Sequence, residues 1–267
     1  MRIPKALVRG GGDIATGTIH RLVKSGFKVL VTEIETPTVI RLNVAAANAI
    51  YEGDFVVEGV TYAKIERSDE VDATQEAGKI PVLIDPQMSI LKTYQPDLVV
   101  DAVLAKRNLG TTVDMAPVVI ALGPGFEAGF DCDAVIETAR GHDLGRIFYH
   151  GKASDDTGIP GDILGYAEER ILRSTGVGKV VLNKRIGDHV EAHDLIGTTG
   201  GVPFYSNISG VIRGLIHEDV SVKMGMKIGD VDPRDDYNAC NAISDKARAL
   251  GGSVLEAYLQ TIGGLRI

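Results

Sequence analysis

The chain has no tryptophan, only 5% aromatic residues and two cysteines in 267 positions. Cys132 and Cys240 are too few for a disulfide framework or a cysteine zinc site, so a reducing cytoplasm is the expected compartment. No apolar run reaches the roughly 20 residues that a spanning helix needs. The first residues also lack the apolar core of a secretory signal. Neither a membrane span nor export is therefore expected. Blocks of Lys and Arg are missing too. With 28 basic against 36 acidic residues, the formal net charge is −8. Such a chain is a poor ligand for nucleic acid or an anionic membrane. H-E-x-x-H, C-x-x-C, Walker and G-x-S-x-G motifs are all absent. The standard metalloprotease and serine-hydrolase signatures go with them.

What is present is glycine, at 32 residues, and a hydrophobic content of 44%. The most informative stretch is the first forty residues. Lys5 to Arg9 reads as a strand, Gly10-Gly11-Gly12-Asp13-Ile14-Ala15-Thr16-Gly17 as a glycine turn opening a helix, and Phe27 to Glu33 as a second strand ending in an acid. Glycines let backbone N–H groups approach a phosphate, and a helix N-terminus adds partial positive charge. Gly10-x-Gly12-x-x-Ala15 fits the dinucleotide fingerprint, with Glu33 about where the ribose-binding acid falls. Gly10, Gly11, Gly12, Asp13, Ile14 and Glu33 are thus candidate cofactor contacts. The competing reading is a tight turn that only packs helix on sheet, with Asp13 as a cap that repels phosphate.

Strand and helix signals alternate through the first two-thirds. Pro37 to about Tyr51 reads as helix, Phe55–Val57 and Val60–Ile65 as strands, and Ser68 to Gly78 as helix with a glycine stop. Ile80–Ile84, Asp97–Leu104 and Val118–Leu122 have the Val/Ile/Leu density of strands buried on two faces. Ala134–Thr138 and Arg146–Tyr149 add two more. The expected class is α/β, a Rossmann-like, mostly parallel sheet over residues 1–175. From 176 to 235 the chain turns β-rich, and Ile186–Gly197 is echoed by Asp219–Gly229. That quasi-repeat resembles the barrel-sandwich hybrid of biotinyl and lipoyl domains. No lysine lies between Gly197 and Gly210, so a carrier role is rejected and only the fold analogy is kept. Residues 236–267 read as a helical segment that packs back on the first domain. Gly251-Gly252 is expected to interrupt it.

Further candidates follow the strand ends, where open parallel sheets bind ligands. Asp101 and Asn108 would orient a ligand, and Lys106 and Arg107 would neutralise phosphate or carboxylate. Gly123 and Gly125 form a second glycine turn facing the same crevice. Each has an ordinary reading as a solvated loop or plain turn. His142 beside Asp143 is a weak base pair, because adjacent residues seldom face each other. Thr157–Gly161 reads as a lid or linker. Cys132 sits between two aspartates that would disfavour its thiolate. Cys240 is the better placed of the two thiols, though a buried structural role suits both.

Several long phrases resemble one family, YqeB, accessory proteins of the selenium-dependent molybdenum hydroxylase system. They are Val8–Gly17, Leu104–Gly110, Leu122–Phe126, Ala134–Arg146, Thr157–Gly161, Lys227–Arg234 and Ile243–Gly252. The resemblance implies a cytoplasmic maturation factor that handles a phosphorylated cofactor, molybdopterin or its dinucleotide, with an apo molybdenum hydroxylase as partner. It brings no catalytic residues and no metal site, and it leaves catalysis and oligomeric state open. Two alternatives stand beside it. One is an NAD-dependent oxidoreductase, in which Glu33 disfavours the NADP phosphate. The other is a non-catalytic scaffold with a vestigial nucleotide site.

Overall fold

The computed structural model describes residues 2–158 and 161–263. Ile159 and Pro160, at the centre of the Thr157–Gly161 loop, and residues 264–267 lie outside the described residues. The chain divides into two units. The first comprises Met1–Glu35, Ala45–Thr157 and Ile243–Ile267, and the second Thr36–Val44 and Gly158–Ala242. The division therefore falls near residue 158, earlier than the composition change near 176. The reason is pairing, because the strand Ile171–Arg173 bonds antiparallel to Lys227–Asp232.

In the first unit, β1 (Lys5–Arg9) leads through α1 (Asp13–Lys24) to β2 (Lys28–Glu33). Then come α2 (Ala49–Glu52), β3 (Asp54–Val57), β4 (Val60–Ile65), α3 (Val71–Glu76), β5 (Ile80–Ile84), α4 (Leu91–Tyr94) and β6 (Leu98–Asp101). β7 (Val118–Leu122), β8 (Ala134–Ile136), β9 (Ile147–Phe148) and the C-terminal α5 (Asp245–Thr261) complete it. The sheet order is β3-β4-β5-β2-β1-β6-β7-β8-β9. The seven inner strands are parallel, while β3 and β9 pair antiparallel at the edges. The apolar runs explain this arrangement, since β1, β2, β6 and β7 are buried along nearly their whole length, as strands covered on both faces must be. On one face Leu7, Leu30, Val99, Val119 and Val135 gather with Val71, Met88, Ile90, Tyr94 and Phe126.

α1 and α5 pack against each other and reach the sheet at β1 and β2 and at β7 and β8 respectively. They approach so closely that a Cβ on Gly17 would lie 2.6 Å from the Ala247 Cβ, and one on Gly251 would lie 2.6 Å from the Gly17 carbonyl oxygen. Gly251 also faces Arg21. Residues 17 and 21 thus meet 247 and 251 in the same order, so the helices run parallel with their N-termini at the same end. The expected interruption at Gly251-Gly252 does not occur, and α5 is continuous across both glycines. Tertiary packing overrides helix propensity here. The expected helix from Pro37 to Tyr51 is reduced to short 3₁₀ turns and the four residues of α2. The chain there crosses to the second unit and back. No helix among the described residues is long and apolar enough to cross a membrane.

The second unit holds β10 (Ile171–Arg173), β11 (Gly178–Leu182), β12 (His189–Val190), β13 (Leu195–Thr199), β14 (Val202–Tyr205), β15 (Gly210–Leu215), β16 (Ser221–Val222) and β17 (Lys227–Asp232). They form two antiparallel sheets, β10-β17-β15-β12 and β14-β13-β11-β16. The quasi-repeat has a structural meaning. β12 edges the first sheet and β13 enters the second, whereas β16 edges the second and β17 enters the first. The two copies swap sheets around one core that includes Val190, Ile196, Phe204, Ile212, Val222 and Ile228. The tip between β13 and β14 is Gly200-Gly201, both at positive φ.

Candidate functional site

The chain leaves β1 toward β2 on one side, and β6 pairs with β1 on the other. The carboxyl ends of β1 and β6 therefore flank a topological switch point, where open parallel sheets leave a crevice. Gly10, Gly11 and Gly12 end β1 and open α1. Gly10 has φ +88, and a Cβ there would press on the Val103 backbone at 3.2 Å, so the loop after β6 lies directly on the turn. Gly12 differs. It has φ −62 and ψ 173, caps α1 without a side-chain hydrogen bond, and a Cβ on it would meet nothing within 4 Å. Gly12, Asp13 and Ile14 form the partly exposed lip of the turn.

Glu33 ends β2 and turns inward. Its Oε2 accepts from the Gly11 N–H at 2.7 Å, and its Oε1 from the Ile34 N–H at 2.8 Å. Burial raises its carboxyl pKa, against the pull of those two N–H groups. A carboxyl whose pKa is higher folded than unfolded holds its proton better in the fold, so it favours folding less as pH rises through that window. Glu33→Gln keeps an acceptor for Gly11 and removes the charge. Its melting temperature relative to the parent is expected to rise as the pH climbs above 4.5, the ordinary value. Parallel melting curves for the two proteins would refute this.

Asp101, at the end of β6, is 1% exposed. It accepts from Arg9 Nη1 at 3.2 Å, from Thr111 Oγ1 at 2.5 Å and from the Val103 N–H at 3.2 Å. Asn108 accepts the Gly110 and Thr111 N–H groups and donates to the Thr111 carbonyl and to Asp131. Both residues hold the loop in shape. Within it Leu104 and Lys106 have φ +59 and +61, a region that costs non-glycine residues energy and clusters at functional sites. Lys106 pairs with Asp156 at 2.6 Å. Arg107 is exposed and has no ion pair among the described residues. Gly123 and Gly125 pack the neighbouring turn against this loop. A Cβ on Gly125 would lie 2.5 Å from the Arg107 nitrogen, and one on Gly123 would lie 2.7 Å from Thr138 Oγ1. The strand-end residues singled out in the sequence thus share one edge, although Asp101, Asn108, Gly123 and Gly125 face protein.

Three more residues belong to this edge. Glu137 accepts from the Ala139 and Ser154 N–H groups at 2.7 and 2.8 Å. Burial alone would raise its pKa, but these hydrogen bonds hold it below the usual range. Arg9 is the floor of the loop after β6. Lys246, on the first turn of α5, is half-buried. Burial and then the Arg140 guanidinium push its ammonium below the usual value, against Asp13, Glu137 and Asp156. A cation on the first turn of a helix opposes the macrodipole, which is the one sequence signal that could mark it. His142 is exposed, and Asp143 pairs with Arg146 at 3.1 Å. Burial, then Asp131 and Asp133, push the Cys132 thiol up to about 12. Burial also raises that of Cys240, against Arg41 and Arg213.

An α/β protein with a polar, glycine-lined edge at the switch point of a parallel sheet is the class that fold and site define. No protein-family model matches the chain. It is 49% identical over 253 residues to the uncharacterized protein YqeB of Escherichia coli K12, an alignment covering 95% of this chain and 47% of that protein. This identity supports the YqeB family. The chain spans about half the length of that relative. Among solved structures, the product-bound ectoine utilization protein EutE (DoeB) of Ruegeria pomeroyi is 12% identical, covering 86% of this chain and 85% of that one, with a TM-score of 0.28. An aspartoacylase family protein of Mesorhizobium loti is 11% identical, covering 86% and 85%, with a TM-score of 0.26. Likenesses this weak carry nothing about function.

Proposed function

We propose that the chain is a cytoplasmic accessory factor in the maturation of molybdenum hydroxylases, and that it holds a phosphorylated cofactor, molybdopterin or its dinucleotide, as cargo at the carboxyl edge of a Rossmann-like sheet. The observation that carries this reading is the open lip at Gly12, where α1 begins without a side-chain cap at the switch point between β1 and β6. The residues fit an anionic group. Gly12 leaves room for it, the helix N-terminus favours it, and Arg107 and Lys246 supply positive charge on the same edge. The YqeB relationship supplies the setting. The barrel-sandwich-like second unit would serve the apo-hydroxylase. The NAD reading has less support, because its ribose acid, Glu33, is engaged with the turn itself.

Gly12→Asp tests the reading. The backbone there suits any residue, a Cβ meets nothing within 4 Å, and Asp is a favoured N-cap. The variant is therefore expected to melt at or slightly above the parent temperature while losing molybdopterin binding, read by titration calorimetry. Undiminished binding would remove the glycine turn from the site. A thermal shift with NAD and none with molybdopterin would favour the oxidoreductase.

A further inference from the structure

We infer that a cleft between the later turns of α1 and the start of α5 binds one tetrahedral oxyanion, sulfate or the phosphate group of a small molecule. The inference stands apart from the cofactor reading above, because His20, at the cleft, lies eight residues after Gly12 on α1, about 12 Å along the helix axis. The cleft measures about 120 Å³ and is lined by Gly17, His20, Arg21, Lys24, Ile243 and Arg248. A liquid water takes roughly 30 Å³, so the space suits one such ion with a little water. Gly17, His20, Arg21 and Lys24 follow the i, i+3, i+4, i+7 spacing of one helix face. The close contact of Gly17 with Ala247 brings α5 alongside that face, and Arg248 is the next residue. Sequence spacing and packing together thus gather four basic side chains, and none of the lining residues is acidic.

Most of this charge is unspent. The Arg21 and Lys24 side chains are exposed and have no hydrogen bond or ion pair among the described residues. The carboxylate that acts on His20 is Glu58, between β3 and β4, and its oxygens are engaged. They accept Arg248 Nη2 at 2.6 and 2.7 Å and the Ile243 N–H at 2.8 Å. Burial alone would raise the Glu58 carboxyl, but these bonds hold it below the usual range. Arg21, Lys24 and Arg248 against Glu58 leave a surplus of two positive charges, on a chain whose formal net charge is −8. Arg21 and Lys24 also suit the negative end of the α1 dipole, but His20 and Arg248 lie outside that last turn. His20 faces Lys24, Arg248 and Glu58. Burial first, with Lys24 and Arg248, lowers its pKa from 6.5, against the Glu58 carboxylate and backbone. An anion in the cleft favours the protonated ring, so binding takes up a proton.

Sulfate is the probe, because its two charges do not change around neutral pH. It is titrated into the full chain by calorimetry, with sodium chloride at matched ionic strength as the control. One saturable site is expected, several-fold tighter at pH about 5.5 than at about 7.5, on either side of the histidine range. His20→Gln should remove that pH dependence. Arg21→Met with Lys24→Met should weaken sulfate at least about tenfold, the scale of two partly exposed charge-assisted contacts. Arg21→Lys with Lys24→Arg, which keeps both charges and guards against a folding artefact, should retain most of the affinity. Competition by phenyl phosphate assigns the site to phosphate monoesters as well, and its absence assigns it to the free ion. Heat matched by chloride, or sulfate binding undiminished in the Met variant, overturns the inference. Neither result bears on molybdopterin binding at the glycine turn.

Discussion

Arg9→Met is expected to destabilise the first unit by about 4 kcal/mol, the scale for breaking one side of a buried ion pair. Arg9 is 6% exposed at the end of β1, and its partner Asp101 is 1% exposed. The guanidinium does more than neutralise. Nη1 reaches Asp101 at 3.2 Å and Thr111 at 3.0 Å, while Nη2 reaches the Pro86 and Leu109 carbonyls, each at 3.0 Å. Removing it leaves a buried carboxylate without its counter-charge and two carbonyls without this donor. Asp101→Leu alone should cost a similar amount by orphaning Arg9. The double variant should cost well under the sum, because replacing both charges by apolar groups removes the desolvation cost together with the attraction. Urea melts of the four proteins give the coupling. Hydrogen exchange at residues 109–111 should rise in each single variant. Additive losses would show that the pair is not a coupled unit.

That pair also shows where sequence reading stops. Arg9 closing an apolar strand and Asp101 closing another are each visible, but they lie 92 positions apart. Nothing local says that they meet. The strands themselves are legible, because burial on two faces demands the Val/Ile/Leu density that marks β1, β6 and β7. The switch-point turn is legible for a similar reason, since three consecutive glycines between an apolar strand and an amphipathic run mark a tight strand-to-helix turn. Even so, the fingerprint does not reveal that Glu33 folds inward onto Gly11, which depends on how the Ala45–Asn48 turn returns. The quasi-repeat is visible as a repeat, yet its meaning, each copy placing its edge strand in one sheet and its inner strand in the other, is a property of pairing. Composition changes near 176, whereas the second unit takes up the chain from Gly158, and its first strand, Ile171–Arg173, pairs with Lys227–Asp232. Lys246 looks in the sequence like one more charge on a helix. Its interest comes from neighbours on three other segments, Asp13, Glu137 and Asp156.

The glycines of α1 and α5 separate packing from helix propensity within two adjacent residues. Gly251→Ala is expected to cost about 3 kcal/mol, the upper range for overpacking a tight contact. Its new Cβ would lie 2.6 Å from the Gly17 carbonyl oxygen and 3.1 Å from the Arg21 Cβ. The first of these is backbone and cannot swing aside. Gly17→Ala should cost at least as much, with a Cβ 2.5 Å from the Ala247 carbonyl carbon and 2.6 Å from its Cβ. Either change must push the helices apart, loosening Leu250, Val254 and Ala257, which are all fully buried on α5. Gly252→Ala has the opposite sign. It lies inside α5, and a Cβ there meets nothing within 4 Å. Only helix propensity acts, and alanine is better than glycine by about 0.5–1 kcal/mol. Melting temperatures of the three variants against the parent decide the matter. If Gly251→Ala and Gly252→Ala moved the same way, propensity would rule both positions. The close approach of α1 to α5 would then not be what keeps Gly17 and Gly251 free of side chains. Opposite shifts would tie both glycines to the crossing, and with them the placement of Lys246 beside the lip of the site.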